Sequence, residues 1–213
     1  TKDKDSLLEV GALEKAKDAL EKNVPLRQVD FSDDEKKLLK SYSFLTIKPI
    51  IYLANIDEEE LGKEDNEYVK LVKNYAEKEN AKVVSLCAKT EEDLSELDKD
   101  DKQEMLEALG LEHSGLDSLI KATYDILGLA TYFTVGKDEV RAWTFRKGMN
   151  AKECAGIIHT DFEKGFIRAE VISYTDLIDC GSELKVKEAG KARLEGKEYL
   201  MQDGDICHFR FNV

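Results

Sequence analysis

Residues 48–58 read KPIIYLANIDE and predict a strand that ends in polar side chains. From Thr46 to Asn55 the chain is rich in β-branched and aromatic residues, which is typical of a strand buried on both faces of a parallel sheet. Apolar residues at helical spacing follow between Tyr68 and Ala76, and a second apolar run extends from Lys82 to Ala88. Strand, helix and strand in this order predict a βαβ unit.

Helices are predicted on either side of this unit. Residues 6–22 have apolar residues at helical spacing, and Ser32 followed by acidic residues is typical of a second helix start. Further helices are predicted at roughly 91–109 and at 115–127. We expect one apolar stripe on the first helix, made of Leu7, Leu8, Val10, Leu13 and Leu20, with Ala16 and Ala19 in the tighter positions.

After Gly128 the pattern changes to short strands, which predict an α+β sheet with one covering helix. A helix is expected over Ala151–Thr160, capped by Asn150. Residues 185–192 fit neither pattern clearly. The predicted strands are a hairpin of Thr131–Val135 and Val140–Phe145 around Gly136-Lys137-Asp138-Glu139, a strand at Phe166–Ser173, and a second hairpin of Glu198–Met201 and Ile206–Phe211 around residues 202–205.

Composition restricts the class of protein. The 213 residues are 42% hydrophobic and 36% charged, and no apolar run approaches the roughly 18 residues that a membrane helix needs. The four cysteines have neither disulfide-framework nor zinc spacing, which indicates reduced thiols in a cytoplasmic protein. The net charge of −13 is uneven, because residues 1–130 hold 19 basic and 31 acidic residues while residues 131–213 hold 13 and 14. We therefore expect no membrane or DNA partner, although the near-neutral second part is compatible with RNA.

The strand end at Asn55 resembles a purine-reading motif. In P-loop GTPases an Asn-Lys-x-Asp sequence after a buried strand selects guanine; here Asn55 matches, Ile56 replaces Lys and Glu58 replaces Asp. The longer Glu58 side chain weakens the preference for guanine, because a site selects strongly only when its polar groups meet their partners. The alternative is an ordinary helix start capped by Asp57. The second strand favours the purine interpretation, because it ends in Cys87-Ala88-Lys89 where GTPases have Ser-Ala-Lys.

The sequence contains no phosphate loop of the form G-x-x-x-x-G-K-[ST]. Gly110 and Gly115 have the glycine spacing, but Leu116 and Asp117 follow them, and an aspartate would repel phosphate. We therefore predict neither catalytic nor metal-binding residues in this chain. The His159/Asp161 and Asp203/Asp205 pairs are interpreted as helix-end and turn residues.

The chain resembles the YchF family, the Obg-like ATPases among the translation-factor-related P-loop NTPases. The resemblance is carried by KPIIYLANIDE, by the Cys87-Ala88-Lys89 strand end, and by two segments that begin at Val140 and Met201. It implies that Asn55 and Glu58 form an N-x-x-E motif that admits ATP as well as GTP, with the Ile56 backbone and Ala88 near the base. The implied cofactor is ATP or GTP with Mg in the intact protein, and we expect no tight binding to this chain alone.

The fold class implied is α/β plus α+β: an incomplete P-loop NTPase-type α/β domain with part of a helical insertion, followed by a β-grasp (TGS) domain. The expected domains are 1–45, 46–128 and 129–213. The expected function is the C-terminal part of a ribosome-associated ATP/GTP-binding NTPase; the alternative is a non-enzymatic RNA- or protein-binding module. Ribosome or RNA contact through the TGS domain is supported by a basic cluster of Lys185, Lys187, Lys191, Arg193 and Lys197, with Arg141, Arg146, Lys147 and Arg168 nearby in the sheet and Trp143, Phe145 and Tyr199 as possible stacking faces.

Overall fold

The structure is a computed structural model that describes residues 4–136 and 139–212. It contains two compact units, Thr1–Ile126 and Leu127–Val213. Among the described residues, no helix combines the length and the apolar character that a bilayer crossing requires.

The first unit begins with two helices, α1 (Lys4–Glu21) and α2 (Asp33–Leu39). The predicted start at Ser32 is confirmed: its backbone N–H donates to the Glu35 carboxylate at 2.7 Å, and the Glu35 N–H donates to Ser32 Oγ at 3.3 Å. This reciprocal capping box satisfies two backbone donors at the helix start. The small core of this segment consists of Ala12, Ala16, Leu26, Phe31 and Leu39.

The predicted apolar stripe of α1 is wrong for most of its large residues. Ala12 and Ala16 are the fully buried positions of the helix. Their small side chains let the following segment, which contributes Leu26 and Leu39, approach the helix closely. The exposed members of the predicted stripe are Leu7, Leu8, Val10 and Leu20, while Leu13 and Ala19 pack partly against the core.

The predicted βαβ unit is confirmed as β1 (Ile51–Asn55), α3 (Glu67–Lys78) and β2 (Lys82–Leu86), with β1 parallel to β2. The predicted strand start at Thr46 is wrong, because Leu45–Ile47 forms a 3-10 turn. Pro49, which has no N–H for a sheet ladder, lies just before β1. Burial on both faces is also wrong for the described residues, since Leu53 in β1 is 50% exposed.

The single helix predicted at 91–109 is two helices, α4 (Ala88–Glu96) and α5 (Lys99–Ala108). The Asp98 carboxylate accepts the N–H groups of Asp100 at 3.0 Å and Asp101 at 3.1 Å, which starts a new helix. Such local side-chain hydrogen bonds compete with helix continuation. Helix α6 (Gly115–Ile126) ends the unit and packs against β2.

The second unit is a five-stranded sheet with helices. Its strands run in the order β4-β3-β7-β5-β6, with β3 parallel to β7 and the other neighbours antiparallel. The strands are β3 (Leu129–Val135), β4 (Val140–Arg146), β5 (Phe166–Ser173), β6 (Arg193–Glu195) and β7 (Asp205–Phe211). The helices are α7 (Ala151–Ile158), α8 (Thr160–Lys164), α9 (Tyr174–Cys180) and α10 (Glu183–Glu188).

The first predicted hairpin is confirmed, because β3 pairs with β4 along its whole length. Lys137 and Asp138 of its predicted turn lie outside the described residues. The second predicted hairpin is wrong: β7 pairs with β5 and β3, and near residues 198–201 there is only an isolated bridge between Asn150 and Leu200. The expectation of one covering helix is wrong, because three further helices follow α7, namely α8, α9 and α10. Helices α9 and α10 pack beside β5 and its neighbours, and α10 includes part of the segment that fitted neither pattern.

The core of the second unit is built around Tyr132, which is fully buried. Its ring makes edge-on contacts with Phe145 and Phe209, and its hydroxyl donates to the Cys154 carbonyl at 2.8 Å. A buried tyrosine keeps its hydroxyl paired in this way because an unpaired polar group in an apolar core is costly. Phe145 is thus a core residue rather than a stacking surface.

Candidate nucleotide-base site

The two strand ends singled out from the sequence lie side by side. In the parallel pair β1–β2, Asn55 is the register partner of Leu86, so both chains leave the sheet at the same edge. The Ile56 N–H continues the ladder by donating to the Leu86 carbonyl at 2.9 Å. In open α/β sheets the carboxyl ends of the strands are where ligands bind.

Asn55 joins the two strand ends directly. Its Oδ1 accepts the backbone N–H of Ala88 at 2.9 Å, where α4 begins. The amide nitrogen of the same exposed side chain makes no hydrogen bond to the part of the chain that the structure describes. Asn55 is therefore oriented through its oxygen and has two N–H donors available for a ligand acceptor. The structure brings three of the four predicted residues together: Asn55, Ile56 and Ala88.

The acidic residues after Ile56 divide into two groups. Glu60 is structural, because its carboxylate accepts the N–H of Asp57 at 3.4 Å and the side-chain amide of Asn66 at 2.8 Å. Glu58, at the start of the short 3-10 helix Glu58–Glu60, is exposed, and its carboxylate has no hydrogen-bond partner among the described residues. The helix-start interpretation therefore accounts for Asp57 and Glu60 but not for Asn55 and Glu58.

Cys87 lies between the end of β2 and the start of α4 and is buried. It precedes α4 in an extended conformation and makes no side-chain capping hydrogen bond, whereas the serine of the GTPase pattern carries a hydroxyl. Its neighbour Ala88 contributes a backbone N–H already paired with Asn55. Cys87 therefore places a buried thiol where the GTPase pattern has a hydroxyl.

The glycine pair that resembled a phosphate loop has a different role. Gly115 begins α6, and the Glu91 carboxylate accepts its N–H at 2.6 Å and that of Leu116 at 3.1 Å. The donors at a helix start attract anions, and here an internal carboxylate already satisfies them. At this helix start the carboxylate of Glu91 therefore takes the place that an external anion would need.

The other titratable pairs considered in the sequence make structural contacts within the second unit. His159 Nδ1 accepts the Asp161 N–H at 3.2 Å at the start of α8. Asp203 Oδ1 accepts the Thr131 N–H at 2.8 Å, and Asp205 Oδ2 accepts the Gln202 N–H at 2.9 Å. These contacts organise a helix start and a turn, and the Asp203 contact also joins that turn to β3.

A buried polar cluster behind β1 was missed by the sequence analysis. The Glu79 carboxylate, almost fully buried, forms an ion pair with Arg27 at 2.7 Å and accepts the hydroxyls of Tyr52 at 2.8 Å and Tyr75 at 3.0 Å. The Arg27 hydrogen bond, followed by that from Tyr52, lowers the pKa of Glu79 below its ordinary value. Arg27 and Glu79 are 52 residues apart in the chain, so no local pattern could reveal the contact.

Comparison with known proteins gives one consistent answer. Residues 129–212 match the family described as YchF-GTPase_C, protein of unknown function (DUF933). Over 213 residues the chain is 56% identical to the ribosome-binding ATPase YchF of Bacillus subtilis, covering 100% of this chain and 58% of that protein. It is 52% identical to the ribosome-binding ATPase YchF of Pasteurella multocida, covering 99% and 58%. These matches support the YchF family.

A solved structure supports the same family at the level of the fold. The Schizosaccharomyces pombe YchF GTPase superposes with a TM-score of 0.79 at 37% identity, covering 94% of this chain and 53% of that one. The mixed α/β architecture with a sheet is therefore shared with a YchF protein. The chain spans 58% of the length of the curated YchF relatives described above.

Proposed function

We propose that this chain is the C-terminal part of a ribosome-associated, ATP- and GTP-binding P-loop NTPase of the YchF type. In this proposal residues 46–128 supply purine recognition, residues 129–213 form a TGS domain of β-grasp type, and residues 1–45 belong to a helical insertion. The hydrogen bond from Ala88 N–H to Asn55 Oδ1 carries the proposal, because it assembles the two strand ends into one edge. The identity of 56% along the whole chain supports the family.

Exposed apolar side chains on β1 and α3 support the proposal that further strands complete this domain. Parallel sheets are normally covered on both faces. Here Leu53 of β1 is 50% exposed, and Tyr68 and Leu71 of α3 are 76% and 64% exposed. Isolated apolar residues on a surface are ordinary, but a strand and its adjoining helix exposed together indicate a missing neighbour. We infer that this neighbour carries the phosphate loop and the Mg-binding residues.

Base recognition would proceed through four groups of this chain. The amide N–H groups of Asn55 donate to the imidazole side of the purine, and the Ile56 backbone and Ala88 lie against the base. The carboxylate of Glu58 faces the Watson–Crick edge, where its greater length relaxes the demand for guanine donors. Triphosphate hydrolysis belongs to residues outside this chain, so the chain contributes selectivity rather than catalysis. The relatives are called ribosome-binding, and we infer that this protein acts at the ribosome in the cytoplasm.

Two substitutions of Asn55 separate its two hydrogen bonds. Asn55→Asp keeps an oxygen that accepts the Ala88 N–H but removes the amide donors. Asn55→Ala removes both. In the full-length protein we expect Asp to weaken ATP and GTP binding at least about tenfold while thermal stability is retained. We expect Ala to weaken binding equally and to cost about 1 kcal/mol of stability as well.

Isothermal titration calorimetry measures the nucleotide affinity of both variants, and urea denaturation measures their stability. The control is Glu59→Gln, which changes an exposed neighbouring acid. Nucleotide affinity that is unchanged in Asn55→Asp contradicts base recognition by Asn55. If the loss of nucleotide affinity in both variants is explained by the fraction of protein that is unfolded, Asn55 has a purely structural role.

A further inference from the structure

A cavity lies in the first unit, away from the carboxyl ends of β1 and β2. Its volume is about 410 Å³, within the roughly 300–1,000 Å³ range typical of small-molecule sites. It shares no residue with the four groups assigned to the base. Its walls come from the helical segment, the entry to β1, the end of α3 and the last residue of α6. The apolar part of the lining is Leu26, Val29, Phe31, Ile47, Pro49, Ile50 and Ile126.

The polar part of the lining has an excess of positive charge. Arg27, Lys36 and Lys40 face the cavity together with a single carboxylate, Glu79. That carboxylate is already matched by Arg27 and two tyrosine hydroxyls. Its pKa is lowered by these contacts, so it stays ionised and balances Arg27 alone. Two lysine charges therefore remain uncompensated in the cavity.

The two lysines are placed as a pair. Lys36 and Lys40 are four residues apart, the first within α2 and the second at its C-terminal cap, so they lie on one side of the helix. Neither forms an ion pair with the described residues, whereas Lys37 on the same helix pairs with Asp34 at 3.2 Å. Like charges at this spacing repel each other. An anion between them would relieve that repulsion, which is notable in a unit whose overall charge is strongly negative.

We propose that this cavity binds a small organic anion: one carboxylate or phosphate ester group on an apolar body. The anionic group would lie between Lys36 and Lys40, and the apolar body would lie against Phe31, Ile47 and Ile50. This mixture of a mainly apolar lining with a few convergent charges is what small-molecule sites use to fix orientation. A metal cation does not suit the site because the free charges are positive, and an uncharged hydrocarbon would leave the lysines unmatched.

The test uses three probes of equal chain length on the full-length protein: octanoate, octyl phosphate and 1-octanol. Binding is followed by methyl NMR of the isoleucines, because Ile47, Ile50 and Ile126 line the cavity. Ile158 and Ile167 of the second unit serve as internal references. We expect both anions to shift the three cavity isoleucines, and octanol to bind at least about tenfold more weakly. A stronger response to octyl phosphate or to octanoate identifies the preferred anionic group.

The matched variants are Lys36→Gln with Lys40→Gln, and Lys37→Gln as the control on the same helix. All three lysines are exposed, so the fold should persist in each variant. We expect the double variant to weaken anion binding about tenfold and to leave octanol binding unchanged, while the control binds like the parent. The proposal is overturned if octanol binds as well as the anions, if the double variant matches the control, or if no cavity isoleucine shifts at millimolar probe.

Discussion

Glu79 illustrates how one side chain can connect distant parts of the first unit. Its carboxylate receives Arg27 from the segment between α1 and α2, Tyr52 from β1, and Tyr75 from its own helix. Tyr52 lies three residues before Asn55 on the same strand, so the cluster fixes the position of the strand that carries the proposed base contact. A buried carboxylate is tolerated here because all its partners are donors.

The cluster predicts a stability that depends on pH. The pKa of Glu79 is lowered from 4.5, chiefly by the Arg27 hydrogen bond, so folding favours its ionised form. The stabilisation is fully present above the unfolded-state pKa and is lost as pH falls through the lower folded-state value. We expect the free energy of unfolding to decline below about pH 5 and expect Glu79→Gln to flatten part of that decline.

Urea titrations at a series of pH values between 3 and 7 measure this effect, with Glu77→Gln as the control because Glu77 is exposed on the same helix. The cluster has no such role if Glu79→Gln retains the parent slope of stability against pH.

Among the secondary-structure elements, the contact between α6 and β2 depends on a glycine, Gly115, because a larger residue would not fit. A Cβ at Gly115 would lie 2.3 Å from Leu86 Cβ and 2.9 Å from Glu91 Oε1. Leu86 is the register partner of Asn55, so this contact also supports the strand end beneath the proposed site. Close packing of this kind cannot absorb a methyl group without moving a backbone element.

The same substitution at two glycines should therefore have opposite effects. We expect Gly115→Ala to destabilise the chain by about 1–3 kcal/mol, because it forces α6 away from β2. Gly11→Ala should stabilise by about 0.5–1 kcal/mol, since Gly11 lies inside α1 with nothing within 4 Å of the added methyl. Chemical denaturation of the two variants beside the parent checks both signs. A neutral Gly115→Ala would contradict the packing argument.

These elements also show what the sequence could and could not predict. The strand ends at Asn55 and Ala88 were found because strand-helix-strand periodicity places them at one edge before any contact is known. The division of residues 91–109 at Asp98 was missed because apolar spacing continues across a locally capped break. The predicted partner of β7 was also wrong. β7 pairs with β5 and β3, which are distant in the sequence, and a turn motif beside β7 does not determine such pairing. The ion pair of Arg27 with Glu79 could not be predicted for the same reason, because these residues are also distant in the sequence.

For the whole molecule, the uneven distribution of charge distinguishes the two parts of the chain. Residues 1–130 hold 19 basic and 31 acidic residues, whereas residues 131–213 hold 13 and 14, so the second unit is the better candidate for a phosphate-rich partner. The predicted basic cluster is largely compensated internally. The pairs are Lys187 with Glu170, Lys191 with Asp176, Arg193 with Glu195 and Asp205, and Lys197 with Glu198. Trp143 is also partly occupied, because the Arg141 guanidinium lies 4.0 Å from its ring centroid.

For the proposed ribosome contact, the cations to test are those without internal ion-pair partners. Lys185 and Arg168 are exposed and form no ion pair within the described residues. We expect Lys185→Ala with Arg168→Ala to weaken ribosome co-sedimentation of the full-length protein and to lower the slope of log affinity against log salt by about 0.7–0.9 for each phosphate that the variant no longer neutralises. Lys187→Ala with Lys191→Ala removes the same charge but only cations already engaged with carboxylates, so the slope should stay near that of the parent. If both double variants lower the slope by the same amount, overall charge rather than direct binding by Lys185 and Arg168 governs the association. If the slope of the first variant equals that of the parent, the ribosome-binding surface lies elsewhere.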